Sequence, residues 1–158
     1  MGTIYKDQIA NMNIAYKRHS FEYFLESTCR LGLTKIELYC NIPHFCDVYE
    51  STFNVSELRR AIEQSGLEVV CFTPEQAYSC YNQCAKDPVS RAASVDYYKR
   101  YMDAAAELGA PMFLTGLGGG FYDEPIEDCW ERGFALAEEL LKVAEQNDMK
   151  IAWEIGCT

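Results

Sequence analysis

The stretch KIAWEIGCT (residues 150–158) sets the terms for the rest of the chain. Ile151, Ala152, Trp153 and Ile155 form a short apolar run after a polar break, the pattern of a buried strand. Glu154 stands inside that run. A buried carboxylate must be neutralised, paired with a cationic side chain, or bound to a cation. In parallel α/β folds the carboxyl ends of the strands are where ligands bind. A strand ending in Glu154 is therefore the natural place to look for chemistry.

Working outward, the same punctuation recurs. Residues 11–15 make a weak first strand, and Ser20 is placed to cap a helix over 21–31 that Gly32 stops. Residues 35–40 alternate Ile36, Leu38 and Cys40 with Lys35, Glu37 and Tyr39, a strand signature. Asn54 with Glu57 resembles a capping box opening a helix over 55–65. Residues 68–73 read as the third strand, and Asp87-Pro88 as a helix start. The next helical face runs through Val89, Ala93, Tyr97, Tyr101, Ala104 and Leu108. Residues 111–115 are the fourth strand. Pro125 then opens a helix whose spacing assigns Ile126, Trp130, Phe134, Ala137, Leu141 and Ala144 to the buried side. The result is βα repeated four times plus a fifth strand, without linker or low-complexity tract. That alternation predicts a parallel sheet with right-handed crossovers. An open doubly wound sheet and part of an eight-stranded barrel both fit it.

With 158 residues, 49% hydrophobic and 13% aromatic, the composition is that of a globular chain. The formal charge of -10, from 24 acidic and 14 basic residues, argues against nucleic acid as a partner. No apolar run is long enough to span a membrane, so a membrane partner is not expected. Eight cysteines would suggest disulfides in a small secreted chain, but the start has no signal-like pattern, which points to a reducing cytoplasm. There a thiol packs as a small hydrophobe. Cys80 and Cys84 carry the first spacing of a radical-SAM motif, but Asp87 stands where its third cysteine belongs.

Four segments in order, GLTKIELYCNIPHFCDVY (32–49), LEVVCFTPEQ (67–76), AAELGAPMFLTG (105–116) and MKIAWEIG (149–156), resemble the xylose-isomerase-like TIM barrels. That family includes sugar-phosphate isomerases, ketose 3-epimerases and apurinic endonucleases. The resemblance implies a partial (β/α)8 barrel of about four and a half βα units, with residues 1–158 as its N-terminal part and the later strands absent. It implies that Glu154, at the end of strand five, is a divalent-metal ligand whose partners come from strands six to eight. The alternative for Glu154 is a buried carboxylate paired with a lysine. Where the family carries polar residues after this Glu, the chain has Ile155, Gly156 and Cys157.

The implied reaction is isomerisation or epimerisation of a sugar or sugar phosphate by proton transfer through an enediolate. Oxygen-rich ligation suits Mn²⁺ or Mg²⁺, whereas a His-rich set admits Zn²⁺ or Co²⁺. Glu154 is the expected ligand and a candidate base. His44, after strand two, is the available neutral acid/base or sugar hydrogen-bonder, against a loop histidine packed on Phe45. Glu37 is a candidate pocket residue, weighed against a salt bridge to Lys17 or Arg18. Glu75 and Gln76 stand at the mouth of strand three, placed to bind sugar hydroxyls, against plain loop polarity. The glycine run 116–120 lacks the Lys and Ser/Thr of a P-loop and reads as an active-site loop.

Two other readings stand beside this one. An endonuclease-like or sugar-conjugate lyase barrel is disfavoured, for the endonuclease, by two histidines and the acidic charge. A non-catalytic half-barrel would expose sheet edges and self-associate. The chain alone is expected to be inactive, and either a homo-oligomer or dependent on a C-terminal half.

Overall fold

The computed structural model describes residues 3–47, 50–76, 81–116 and 118–154. Five parallel strands lie in one sheet in sequential order: β1 (Ala10–Met12), β2 (Lys35–Cys40), β3 (Glu68–Pro74), β4 (Met112–Thr115) and β5 (Lys150–Trp153). Between them run α1 (Phe21–Arg30), α2 (Val55–Gln64), α3 (Pro88–Glu107) and α4 (Ile126–Gln146). A doubly wound sheet reverses strand order at a switch point. The sequential order here has no reversal and selects the barrel arc.

The helix starts form where the sequence places them. The side chains of Ser20, Asn54 and Asp87 accept the backbone N–H of Tyr23, Glu57 and Ser90 respectively. Gly32, Gly66 and Gly109 follow the first three helices with positive φ, the left-handed turn that closes a helix at little cost for glycine. The first strand is shorter than expected, because at Asn13 the chain turns into a 3-10 segment, Asn13–Tyr16. Its side chain explains the change. Asn13 is buried, accepts the Tyr39 N–H at 2.7 Å and donates to the Tyr39 carbonyl at 2.8 Å, extending the sheet with an amide side chain.

The core lies between the sheet and the helices. Ile36, Leu38, Cys40, Phe72 and Phe113 are buried on that face, against Tyr97, Tyr98, Tyr101, Met102 and Leu140. Cys40, Cys46 and Cys71 are buried as packing groups; Cys80 and Cys157 lie outside the described residues. Burial raises the Cys40 and Cys71 thiols above their ordinary range. No helix among the described residues is long and apolar enough to cross a membrane.

Two helical faces differ from the periodicity reading. On α4 the buried residues are Cys129, Gly133, Leu136, Leu140 and Ala144, while Ile126, Trp130, Phe134 and Leu141 are exposed. Both stripes satisfy a 3.6-residue repeat, so spacing alone cannot choose between them. The stripe carrying Gly133 and Ala144 has the small residues that let α4 approach the sheet. On α3, Val89 is exposed, and Tyr98 and Met102 join the buried face.

β5 is also less enclosed than its composition suggests. It pairs only with β4 and no element covers its other edge among the described residues, so Ile151, Ala152 and Trp153 are half-buried and Glu154 is exposed.

Candidate functional site at the strand ends

Strand side chains alternate faces, and the alternation sorts the candidate residues. Ile36, Leu38 and Cys40 point to the helices, which puts Glu37 and Tyr39 on the opposite, inner face. On β3, Phe72 faces the helices, leaving Cys71, Thr73 and Glu75 on the inner face. Trp153 packs against the core, so Glu154 follows on the inner side. Glu37, Glu75 and Glu154 thus share one face of an open arc, the latter two at the carboxyl ends of their strands.

Between β2 and β3 the polar groups are joined. Glu37 Oε1 accepts from the Thr73 hydroxyl at 2.7 Å. Among the described residues it makes no ion pair with Lys17 or Arg18, so the hydroxyl stands where a salt bridge was the alternative. Lys17 instead places its ammonium 5.2 Å from the centroid of the Tyr39 ring, a cation–π contact. Glu75 is buried at 6% exposure, and its Oε2 accepts from both the Tyr39 hydroxyl and the Asn41 amide. Tyr97, reaching up from α3, donates to the Glu75 carbonyl at 2.8 Å and fixes the strand end from behind. Burial also pushes the Tyr97 phenol far above its usual range, so it acts as a neutral donor.

Gln76 crosses to β4. Its Oε1 accepts the Gly116 N–H and the Thr115 hydroxyl, the latter at 3.3 Å. Glu154 donates its backbone N–H to the Thr115 carbonyl at 2.8 Å. Its carboxylate makes no salt bridge among the described residues, so the lysine-pairing alternative finds no partner there. Being exposed, it also escapes the desolvation cost that a buried position would impose.

His44 lies apart from this group. Asn13 Nδ2 donates to its Nδ1 at 3.0 Å, and its Nε2 sits 2.9 Å from the His19 carbonyl oxygen. A neutral ring with its hydrogen on Nε2 satisfies both partners. The ring contacts Phe21 at 5.6 Å between centroids, on the α1 side, rather than Phe45. The structure therefore places Glu37, Glu75 and Glu154 on one face of the sheet, ties Gln76 to the end of β4, and leaves His44 as a bridge between two loops.

Sequence reasoning passed over Tyr39, Asn41 and Thr73 as site residues. The alternation in KIELYC had already placed Tyr39 on the face of Glu37, which was the available signal. Residues 155–158, including the apolar substitutions after Glu154, lie outside the described residues. Among the described residues no cluster of three or more His, Cys, Asp or Glu side chains forms a metal site. A groove of roughly 470 Å³ lined by Arg91, Glu131 and Glu139 lies between α3 and α4, away from the strand ends.

Parallel strands in sequential order, alternating with helices, define part of a TIM barrel. The chain belongs to the xylose isomerase-like TIM barrel family, which it matches over residues 26–158. Among curated proteins it is 24% identical over 139 residues to a fructoselysine 3-epimerase of Escherichia coli O157:H7, covering 88% of this chain and 50% of that protein. A crystal structure of a D-tagatose 3-epimerase-like protein superposes with a TM-score of 0.76 at 14% identity, covering 94% of this chain and 53% of that one. An L-ribulose 3-epimerase structure gives 0.72 at 20% identity, covering 93% and 49%. The chain spans about half the length of the curated relatives it matches.

Proposed function

We propose that residues 1–158 form the N-terminal part of a barrel that epimerises or isomerises a sugar or sugar phosphate at a carbon next to a carbonyl. The observation that carries this reading is the position of Glu154. It is a carboxylate with no ion-pair partner among the described residues, just past the carboxyl end of β5, in a chain whose relatives include sugar 3-epimerases. In the reading, Glu154 is one oxygen ligand of a divalent cation, and Mn²⁺ or Mg²⁺ suits such a donor better than Zn²⁺ or Co²⁺. The remaining ligands would come from elements beyond β5. When bound, the cation supplies Lewis-acid stabilisation of the oxyanion that develops at the sugar carbonyl.

The chain's own residues then shape one wall of the sugar pocket. Glu37 and Glu75 present carboxylates on the inner face. Each is held by neutral donors, Thr73 for the first and Tyr39 with Asn41 for the second, so their directions are set before a sugar arrives. His44 steadies the mouth through its bonds to Asn13 and His19.

The test is a Mn²⁺ titration of the full-length protein with and without Glu154→Gln. The reading expects affinity to fall by at least about tenfold, the loss typical of disturbing a metal's coordination. Equal affinity in both proteins removes Glu154 from the site and the reading with it.

A further inference from the structure

The seam between β3 and β4 is thin. Its ladder has one registered pair, Phe72 with Phe113, whereas β2–β3 has six and β4–β5 has four. Beyond Phe72, β3 continues into Pro74, which has no N–H to give a neighbouring strand. The two strands would part at their carboxyl ends, where the site lies, unless something else joined them. The side chain of Gln76 does so.

Its bonds converge on one peptide unit. The N–H of the Thr115–Gly116 peptide donates to Gln76 Oε1. The C=O of that same peptide accepts the Glu154 N–H at 2.8 Å. A peptide is planar and rigid, so its two ends cannot move independently. Hydrogen bonds in series through it also polarise one another. The position of Gln76 is thereby transmitted across β4 to the backbone of Glu154, at an edge that no other strand steadies among the described residues.

Two further contacts agree. A Cβ on Gly116 would stand 3.2 Å from Gln76 Oε1 and 3.5 Å from the Glu154 carbonyl oxygen, so glycine lets the three residues close up. The Thr115 hydroxyl, wholly buried, accepts from Gln83 Nε2 at 3.3 Å and reaches Gln76 Oε1 at the same distance, which holds the unit from its other side.

We infer that Gln76 is a positioning residue for Glu154: its amide oxygen grips the Thr115–Gly116 peptide and through it sets where the Glu154 carboxylate points. The consequence for metal affinity rests on the reading of Glu154 as a ligand; the positioning itself does not. An acceptor at residue 76 is what the arrangement requires. Glutamate keeps that acceptor, methionine fills the volume without one, and serine is too short to reach.

Amide hydrogen exchange over β5 and Mn²⁺ titration, both on the full-length protein, test this with Gln76→Met, Gln76→Glu and the Glu154→Gln control. In Gln76→Met, exchange at Glu154 should quicken by up to about tenfold, the effect of losing one such bond. Exchange at the core residue Phe72 should stay as in the parent. Gln76→Glu should restore the parental exchange rate, a rescue that a purely volumetric role would not show. Mn²⁺ affinity should fall roughly tenfold in Gln76→Met. Should Gln76→Met fail to fold, Gln76→Ser supplies the same loss of acceptor.

Parental exchange at Glu154 in a folded loss variant overturns the inference. So does faster exchange with parental Mn²⁺ affinity while Glu154→Gln has lost it. Faster exchange with Mn²⁺ affinity unchanged in both variants upholds the positioning and overturns the metal reading instead.

Discussion

Tyr39 and Glu75 are joined phenol to carboxylate across the seam between β2 and β3. Their strands pair two residues earlier, Tyr39 opposite Thr73, so the contact extends the ladder past its last inner-face pair. Asn41 reaches the same carboxylate oxygen. Tyr39→Phe removes one of these two donors from a buried carboxyl oxygen. The expected loss is about 1–3 kcal/mol of unfolding free energy, the range for a buried polar group deprived of a partner. Urea unfolding of Tyr39→Phe, Glu75→Gln and the double variant measures the coupling directly. A coupling energy near zero would mean that the carboxylate does not depend on the phenol.

Asn13 supports the same residue from the opposite side. Its amide takes both backbone groups of Tyr39, and its Nδ2 also reaches His44. Asn13→Ala strands a buried N–H and C=O together. At about 1–3 kcal/mol for each unsatisfied group, this change should cost more than Tyr39→Phe. Asn13→Asp keeps the acceptor for the Tyr39 N–H but loses the donor, and should fall between the two. An order of stability in which Asn13→Ala is the mildest of the three would contradict the role of that amide as an extra strand residue.

Much of this architecture was readable in the sequence because local chemistry and tertiary structure agree. Ser20, Asn54 and Asp87 cap the helices that their spacing announces, and KIELYC alternates as a half-polar strand must. Legibility failed where a residue's role depends on a neighbour far along the chain. Asn13 looked like strand, yet its side chain acts as sheet for Tyr39, 26 residues away. His44 looked like a free acid/base, but both ring nitrogens are taken by Asn13 and His19. Gln76 looked like loop polarity, and its oxygen reaches 40 residues onward to Gly116. The apolar character of the β5 run suggested burial, but burial needs a second neighbour that the described residues do not provide. Composition records what a strand is suited to, not which partners surround it.

The exposed face of α4 bears on how the 158-residue chain behaves on its own. Ile126, Trp130, Phe134 and Leu141 line one side of the helix, and the Trp130 and Phe134 rings lie 5.5 Å apart. Phe121 and Tyr122 are exposed in the loop that leads into it. An exposed apolar face of this kind, together with edges at β1 and β5 that no strand covers among the described residues, favours association between copies. We expect sedimentation of the isolated chain to show concentration-dependent assembly, and Trp130→Glu with Phe134→Lys to shift it toward monomer. A parent chain that stays monomeric at high concentration and melts cooperatively would defeat this expectation.

Acid should act on the β4–α4 loop through Glu124. Its Oε1 accepts the Phe121 N–H at 3.0 Å and pairs with Arg132 at 2.6 Å. The Phe121 bond first, and then Arg132, hold its carboxyl below the ordinary glutamate range. A carboxyl lowered in the folded state contributes stability that is complete above the unfolded value, about 4.3, and disappears as pH falls through the folded one. Glu124→Gln keeps an acceptor for Phe121 but carries no charge to lose. The variant should be less stable than the parent at pH 7, and the gap between their urea midpoints should narrow as pH drops below about 4. Asp87 and Glu139 are lowered as well and weaken both proteins equally, so the difference between parent and variant isolates Glu124. A gap that stays constant from pH 7 to pH 3 would show that the Glu124 charge contributes nothing to holding this loop.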